Sequence, residues 1–284
     1  MTLSTDLFTQ NKLSGYTSML LRHAYYDTDK FETFLREYIG ETPMIQTNRQ
    51  RKCPKLSVVS TVVNHDKVWP YVFRNYCIPY ERKSQYMGDH KYAMWQAVRA
   101  SSAAPSIFDE FHLDGLVHQD GGMTVNNPAA VAIHEATLLW PGAPLQCIVS
   151  CGTGRTLPKL NATPYSHDTQ SASDSAQTAG SSLWHKMVKI LESATDTEGV
   201  HTCLSDLLPQ GVYYRFNPYL SEVPDLDETR PEKLAQLRLD TDIYIRKNEA
   251  KFQAATQCLL REKSLVAKMS DYVTRRAYVW NAHL

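Results

Sequence analysis

Asp120-Gly121-Gly122 is the tripeptide of this chain best suited to chemistry. A carboxylate is a weak base in water, but burial raises its pKa and makes it a better proton acceptor. Two glycines behind it allow positive φ and let backbone N–H groups come close to a substrate. Leu116-Val117-His118-Gln119 reads as a strand, so Asp120 falls at a strand's carboxyl end, where open α/β sheets gather their ligands. Taken alone, the tripeptide fits an ordinary strand-to-helix turn more readily, because Asp-Gly is common there for conformational reasons. His118 shares the strand face of Asp120 by period-two alternation.

Other chemistries find less support. Ten histidines are present without an HExxH or a His/Cys cluster at metal spacing. The acidic run Asp225-Leu226-Asp227-Glu228 lacks the central glycine of a calcium loop. Gly152-Thr153-Gly154 is not followed by the Gly-Lys-Ser/Thr of a phosphate loop. Ser101 and Ser102 have no nucleophile elbow around them and read as packing or capping residues. Ile107, Phe108 and Phe111 fit either a lipid-facing rim or simple core packing. No metal and no cofactor are implied.

The elements that must position Asp120 alternate helix and strand. Phe31, Phe34, Leu35, Tyr38 and Ile39 recur at helical spacing before Gly40, a residue suited to a C-cap. Residues 55–64 (KLSVVSTVVN) are nearly continuously β-branched, as in a strand covered on both faces, and 69–76 (WPYVFRNY) read as the next strand. Residues 91–104 form a helix stopped by Pro105; 126–140 form another, capped by asparagine with Pro128 in the first turn. Residues 145–155 (LQCIVSCGTGR) are a strand ending in glycines. Together these predict an α/β fold with a mostly parallel sheet flanked by helices over 1–156. Residues 157–182 are rich in Ser, Thr, Ala and Gln and read as a flexible loop. The rest, 183–284, reads as mainly helical with one strand at 211–218 and a long charged helical stretch from Pro231 to about Ala277.

Hydrophobic content of 43% and charged content of 21% over 284 residues suffice for a sizeable core. Thirty basic residues balance thirty acidic ones, without the basic stripe that a nucleic-acid partner requires. No apolar run approaches the ~18 residues of a membrane span. Six scattered cysteines without CxxC spacing read as reduced thiols of an intracellular protein.

Three segments follow in order, each at an element end: Arg99-Ala100-Ser101-Ser102-Ala103-Ala104-Pro105, His118-Gln119-Asp120-Gly121-Gly122 with Asn126-Asn127-Pro128, and Ser150-Cys151-Gly152-Thr153-Gly154. In this series the chain resembles the patatin-like phospholipases. FRNY (73–76), KYAMWQA (91–97), SATDTE (193–198), LLP (207–209) and YRFNP (214–218) resemble the gamma branch of the calcium-independent phospholipases A2. The resemblance covers nearly the whole chain. It implies a patatin-like fold, incomplete at its N-terminus, and a lipid acyl hydrolase with a Ser–Asp dyad acting on fatty-acyl esters of glycerophospholipids. The serine of a GxSxG elbow attacks the ester, and Asp120 matches the aspartate that accepts its proton. A glycine-rich oxyanion loop completes such a site, and Gly152-Thr153-Gly154 is expected on its floor. His118 is then structural, because the dyad needs no histidine.

The chain departs from that pattern in one respect: it contains no GxSxG and no glycine-rich oxyanion loop. It reads as the C-terminal part of such a protein, inactive alone. A non-catalytic lipid-binding or regulatory short form is the alternative. The implied partner is a phospholipid or other acyl-ester lipid at a membrane surface, with peripheral attachment at peroxisome, mitochondrion or endoplasmic reticulum. The terminal Ala282-His283-Leu284 resembles a peroxisomal address.

Overall fold

The β-branched run at 57–62 becomes the middle strand of a five-stranded sheet in the computed structural model, which describes residues 7–8, 25–50, 52–155, 197–222, 224, 226–262, 268–269 and 273. In chain order the strands are β1 (Ser57–Val62), β2 (Trp69–Arg74), β3 (Met87–Asp89), β4 (Phe111–Leu113) and β5 (Leu116–Asp120). Across the sheet they run β3-β2-β1-β5-β4. Two further strands, β6 (Ile148–Cys151) and β7 (Tyr213–Phe216), form a separate parallel pair.

The α/β expectation holds, but the sheet is mixed rather than mostly parallel. Pairs β1–β2, β1–β5 and β4–β5 are antiparallel, and β2–β3 is parallel. Connection length decides this: β4 and β5 are joined by Asp114 and Gly115 alone, too short for a crossover. Both turn residues have positive φ, 48° and 79°, the geometry that matches a hairpin's right-handed twist. Continuous apolar strands report burial on both faces, a condition that either strand direction meets.

The helices are α1 (Thr28–Ile39), α2 (Met94–Ser101), α3 (Ala129–Leu139), α4 (Thr197–Leu207), α5 (Pro231–Lys247) and α6 (Glu249–Leu260). The long helix expected from Pro231 is two helices, broken at Asn248, whose side-chain Nδ2 donates back to Tyr244 O at 2.9 Å. Residues 157–182, expected to be a loop, lie outside the described residues, as does 183–194.

The core of the large sheet is aromatic. Phe73, Met44, Val62 and Ala97 are fully buried, Tyr71, Trp95 and Phe111 nearly so. Phe31 of α1 stacks on Phe108 with ring centroids 4.5 Å apart. Phe108 and Phe111 are therefore core residues, with Ile107 packed against them, and not a lipid-facing rim. Each such side chain contributes roughly 1.5–3 kcal/mol by leaving water. α2 covers β1 and carries the segment at 99–105 to the edge where Asp120 stands.

Candidate active site

Asp120 ends β5 and faces Ser60 across the β1–β5 ladder. Its Oδ1 accepts the Gly122 N–H at 2.6 Å, capping the 3-10 turn Gly121–Met123. Among the described residues its Oδ2 accepts no hydrogen bond, and no cation contributes to its titration. Burial raises its pKa above the ordinary aspartate value, opposed only by the Gly122 hydrogen bond. A carboxylate with one oxygen pinned and the other open can take a proton from a hydroxyl set against the open one.

Both glycines are required, though not for left-handed backbone: neither has positive φ. A Cβ on Gly121 would stand 2.2 Å from Val59 O, inside the backbone of β1. One on Gly122 would meet Asp120 Oδ1 at 2.9 Å and block the capping hydrogen bond. Close approach is the reason for glycine here.

The segments that follow one another in the sequence meet around this turn. Asp120 N donates to Ala103 O at 3.0 Å, so the end of α2 fixes the backbone of the aspartate. Arg99, buried in α2, anchors that end through Nη2 to Asp109 O at 2.6 Å, with Nε 3.3 Å from Glu32 Oε1. Thr61 donates to Asp120 O at 2.8 Å, so its contact with Thr124 Oγ1 at 2.9 Å is donated by Thr124. Asn127 Oδ1 accepts from Ala129 N at the start of α3 and from Ser150 Oγ of β6, at 3.3 and 3.2 Å. The N-cap of α3 is Pro128 and not the expected asparagine; Asn127, one residue earlier, reaches past it to Ala129 and also ties the turn to the second sheet. Ser101 Oγ lies 3.5 Å from the position of a Gly121 Cβ, yet no hydrogen bond joins Ser101 to Asp120. Its role is packing.

Behind the turn α3 is locked onto β2. Arg74 donates from Nε and Nη2 to the two oxygens of Glu135, each at 2.7 Å, and Tyr76 and Ser84 add hydroxyl donors at 2.9 Å. Burial alone would raise the pKa of Glu135; the hydrogen bonds and charge of Arg74 hold it below the ordinary value. This closed pair fixes the helix that follows the Asp120 turn.

His118 is sealed into the core at 1% exposure, edge-on to Tyr71, with Nδ1 2.9 Å from Ser60 Oγ. Burial lowers its pKa to about 4, so it is neutral near pH 7. No group of His, Cys, Asp and Glu among the described residues is arranged to hold a metal ion.

A family model for patatin-like phospholipases matches residues 3–133, a span that takes in Asp120-Gly121-Gly122 and Asn127-Pro128 and stops before β6. Residues 3–133 belong to the patatin-like phospholipase family. The mixed sheet with its flanking helices is the patatin fold. The chain is 44% identical over 272 residues to calcium-independent phospholipase A2-gamma of Oryctolagus cuniculus. It is 43% identical over 273 residues to the protein of that name from Homo sapiens. Both matches cover 95% of this chain and 33% of the relative, so the chain spans about a third of the length of these curated relatives. Phospholipase A I of Arabidopsis thaliana is 30% identical over 270 residues, covering 83% of the chain and 19% of that protein.

Beyond the patatin-like span, the glycine motif after β6 is occupied by side chains. Gly152 packs against Asn217 and Arg215, and Gly154, at φ 114°, packs against Leu220. Asn217 Oδ1 accepts the Gly154 N–H at 2.9 Å, and Asn217 Nδ2 donates to Glu198 at 3.2 Å. Sequence reasoning missed the pair Thr61–Thr124 and the bridge through Asn127. The first is a hydroxyl pair 63 residues apart, with no local signal. The second spans two sheets, and the sequence suggested only a helix cap near it.

Proposed function

We propose that this chain contributes the proton-accepting half of a calcium-independent, phospholipase A2-like lipid acyl hydrolase. Asp120 is its base, and Gly121 and Gly122 shape the turn that carries it. The observation behind this reading is the Asp120 carboxylate: half-buried, raised in pKa by burial, one oxygen pinned by Gly122 N–H and the other free of hydrogen bonds among the described residues. A serine of a GxSxG elbow, which these 284 residues do not contain, would attack the acyl ester while Asp120 Oδ2 takes its proton. The names of the gamma relatives support glycerophospholipids as the substrate class. No helix among the described residues is long and apolar enough to cross a membrane. We read the association with lipid as peripheral, at peroxisome, mitochondrion or endoplasmic reticulum. Ala282-His283-Leu284 lies outside the described residues. In the same reading 1–156 supplies the site, 157–182 is a loop, and 183–284 is an appended, mainly helical region whose β7 pairs with β6.

The deciding assay joins the chain to an upstream segment bearing a GxSxG serine and measures fatty-acid release from phosphatidylcholine vesicles in a calcium chelator. Hydrolysis that is lost in Asp120→Asn and largely kept in His118→Ala supports the dyad. The reverse pattern overturns it in favour of a histidine mechanism. The second reading is a non-catalytic lipid-binding or regulatory form of the same family. It predicts vesicle binding by the chain and no hydrolysis even in the joined protein.

A further inference from the structure

A cavity of about 310 Å³ lies between β7, α4, α5 and α6, and no residue of the Asp120 turn lines it. Its walls carry Arg155, Arg215, Lys247 and Lys251 against two carboxylates, Glu198 and Asp240. Both carboxylates are already engaged. Glu198 accepts from Arg155 Nη1 at 2.5 Å and from Asn217. Asp240 Oδ2 accepts from both the N–H and the hydroxyl of Ser221 at 2.8 Å.

Arg215 is the residue that decides what the cavity is for. It is 5% exposed, and its Nη1 donates to Ser150 Oγ at 3.0 Å. Among the described residues its buried Nε has no hydrogen-bond acceptor and no carboxylate pairs with it. Arg155 Nε, on the same wall, is buried and equally without an acceptor among those residues. A buried guanidinium left with open donors is costly, and proteins pair such groups. Lys251 adds to the crowding: its ammonium donates to Arg215 O at 2.6 Å, and burial, then the charge of Arg155, lowers its pKa.

Two arginines and two lysines against two carboxylates that are already engaged leave this wall with excess positive charge, which calls for a ligand with several acceptor oxygens and negative charge. Phosphate oxygens match the guanidinium fork. The volume sits at the lower end of small-molecule sites and leaves room for more than a bare anion. Tyr219, Tyr244 and Ile243 give the remaining wall an apolar side. We propose that this cavity binds a phosphate monoester, with Arg215, Arg155, Lys251 and Lys247 holding the phosphate and the tyrosine wall holding the group esterified to it. The ligand is either a soluble organic phosphate or an anionic lipid headgroup of the same chemistry.

The test titrates the full chain with glycerol 3-phosphate by calorimetry and, in parallel, floats it with vesicles of phosphatidylcholine with and without phosphatidic acid. Lys251→Gln weakens binding about tenfold, as loss of a charge-assisted hydrogen bond does. Lys247→Gln, a substitution at an exposed position that leaves the fold intact, weakens it about threefold. Glycerol 3-phosphate binding without vesicle preference assigns a soluble ligand. Phosphatidic-acid-dependent flotation that Lys247→Gln reduces assigns a lipid headgroup. The proposal is overturned if neither probe binds, or if Lys247→Gln and Lys251→Gln both bind as the parent does. Hydrolysis plays no part in the assay, so its failure leaves the Asp120 reading untouched.

Discussion

Two strands end in glycine turns, β5 at Asp120-Gly121-Gly122 and β6 at Gly152-Thr153-Gly154, and the turns serve different ends. In the first, the missing side chains make room for backbone: Val59 O would lie 2.2 Å from a Cβ on Gly121. The carboxylate folds back onto Gly122 N–H and leaves one oxygen open. In the second, the space goes to Asn217 Oδ1 and Leu220 Cδ1, each 2.4 Å from a would-be Cβ. The amide then plugs the turn by accepting the Gly154 N–H. Glycines at a strand end thus report that something comes close. Only the partner tells whether the turn presents a reactive group or closes over one.

The largest expected effect separates the two turns by activity. In a protein supplied with the GxSxG serine, Asp120→Asn keeps shape and removes the base, lowering kcat by about 10³-fold in steady-state assays. Asn217→Ala, measured at equal folded fraction, leaves kcat within about threefold; a comparable loss there would erase the distinction. The next concerns how tightly β5 is closed behind its tip. His118 is neutral when folded because burial lowers its pKa to about 4. The unfolded chain therefore binds the extra proton between pH 6.5 and 4. That stability is fully present above pH 6.5 and falls by about 3 kcal/mol as the pH drops towards 4. Urea titrations across this range measure the slope, and His118→Gln removes it. Gly121→Ala, driven against a β1 carbonyl that cannot turn aside, costs about 2–3 kcal/mol in the same titration. Gly154→Ala meets only the end of a leucine, plus an unfavourable φ of 114°, and costs roughly 1.5 kcal/mol. If Gly154→Ala proves the costlier, the second turn is the more rigid of the two.

Much of this was legible in the sequence where the signal is local. The runs at 55–64, 69–76, 116–122, 145–155 and 211–218 hold β1, β2, β5, β6 and β7, and Asp120 stands at its strand end as expected. β3, β4 and α4 were not anticipated. The first two are three residues each, too short for periodicity, and α4 has no buried face to leave a stripe. Strand direction was misjudged because apolar runs encode burial and not orientation. The two-residue Asp114-Gly115 link held the better clue. Long-range polar closure, such as Arg74 with Glu135 61 residues away, leaves no trace in either segment.

The pairing of β6 with β7 also has a consequence in time. Ile148 meets Tyr213, so the second sheet forms only after a loop of some sixty residues closes, whereas the β4–β5 hairpin turns on two. Loop-closure entropy grows with length and must be met before the contacts reward it. The hairpin that carries Asp120 therefore has the smaller closure cost of the two. The walls of the cationic cavity, which include β7, carry that larger closure cost.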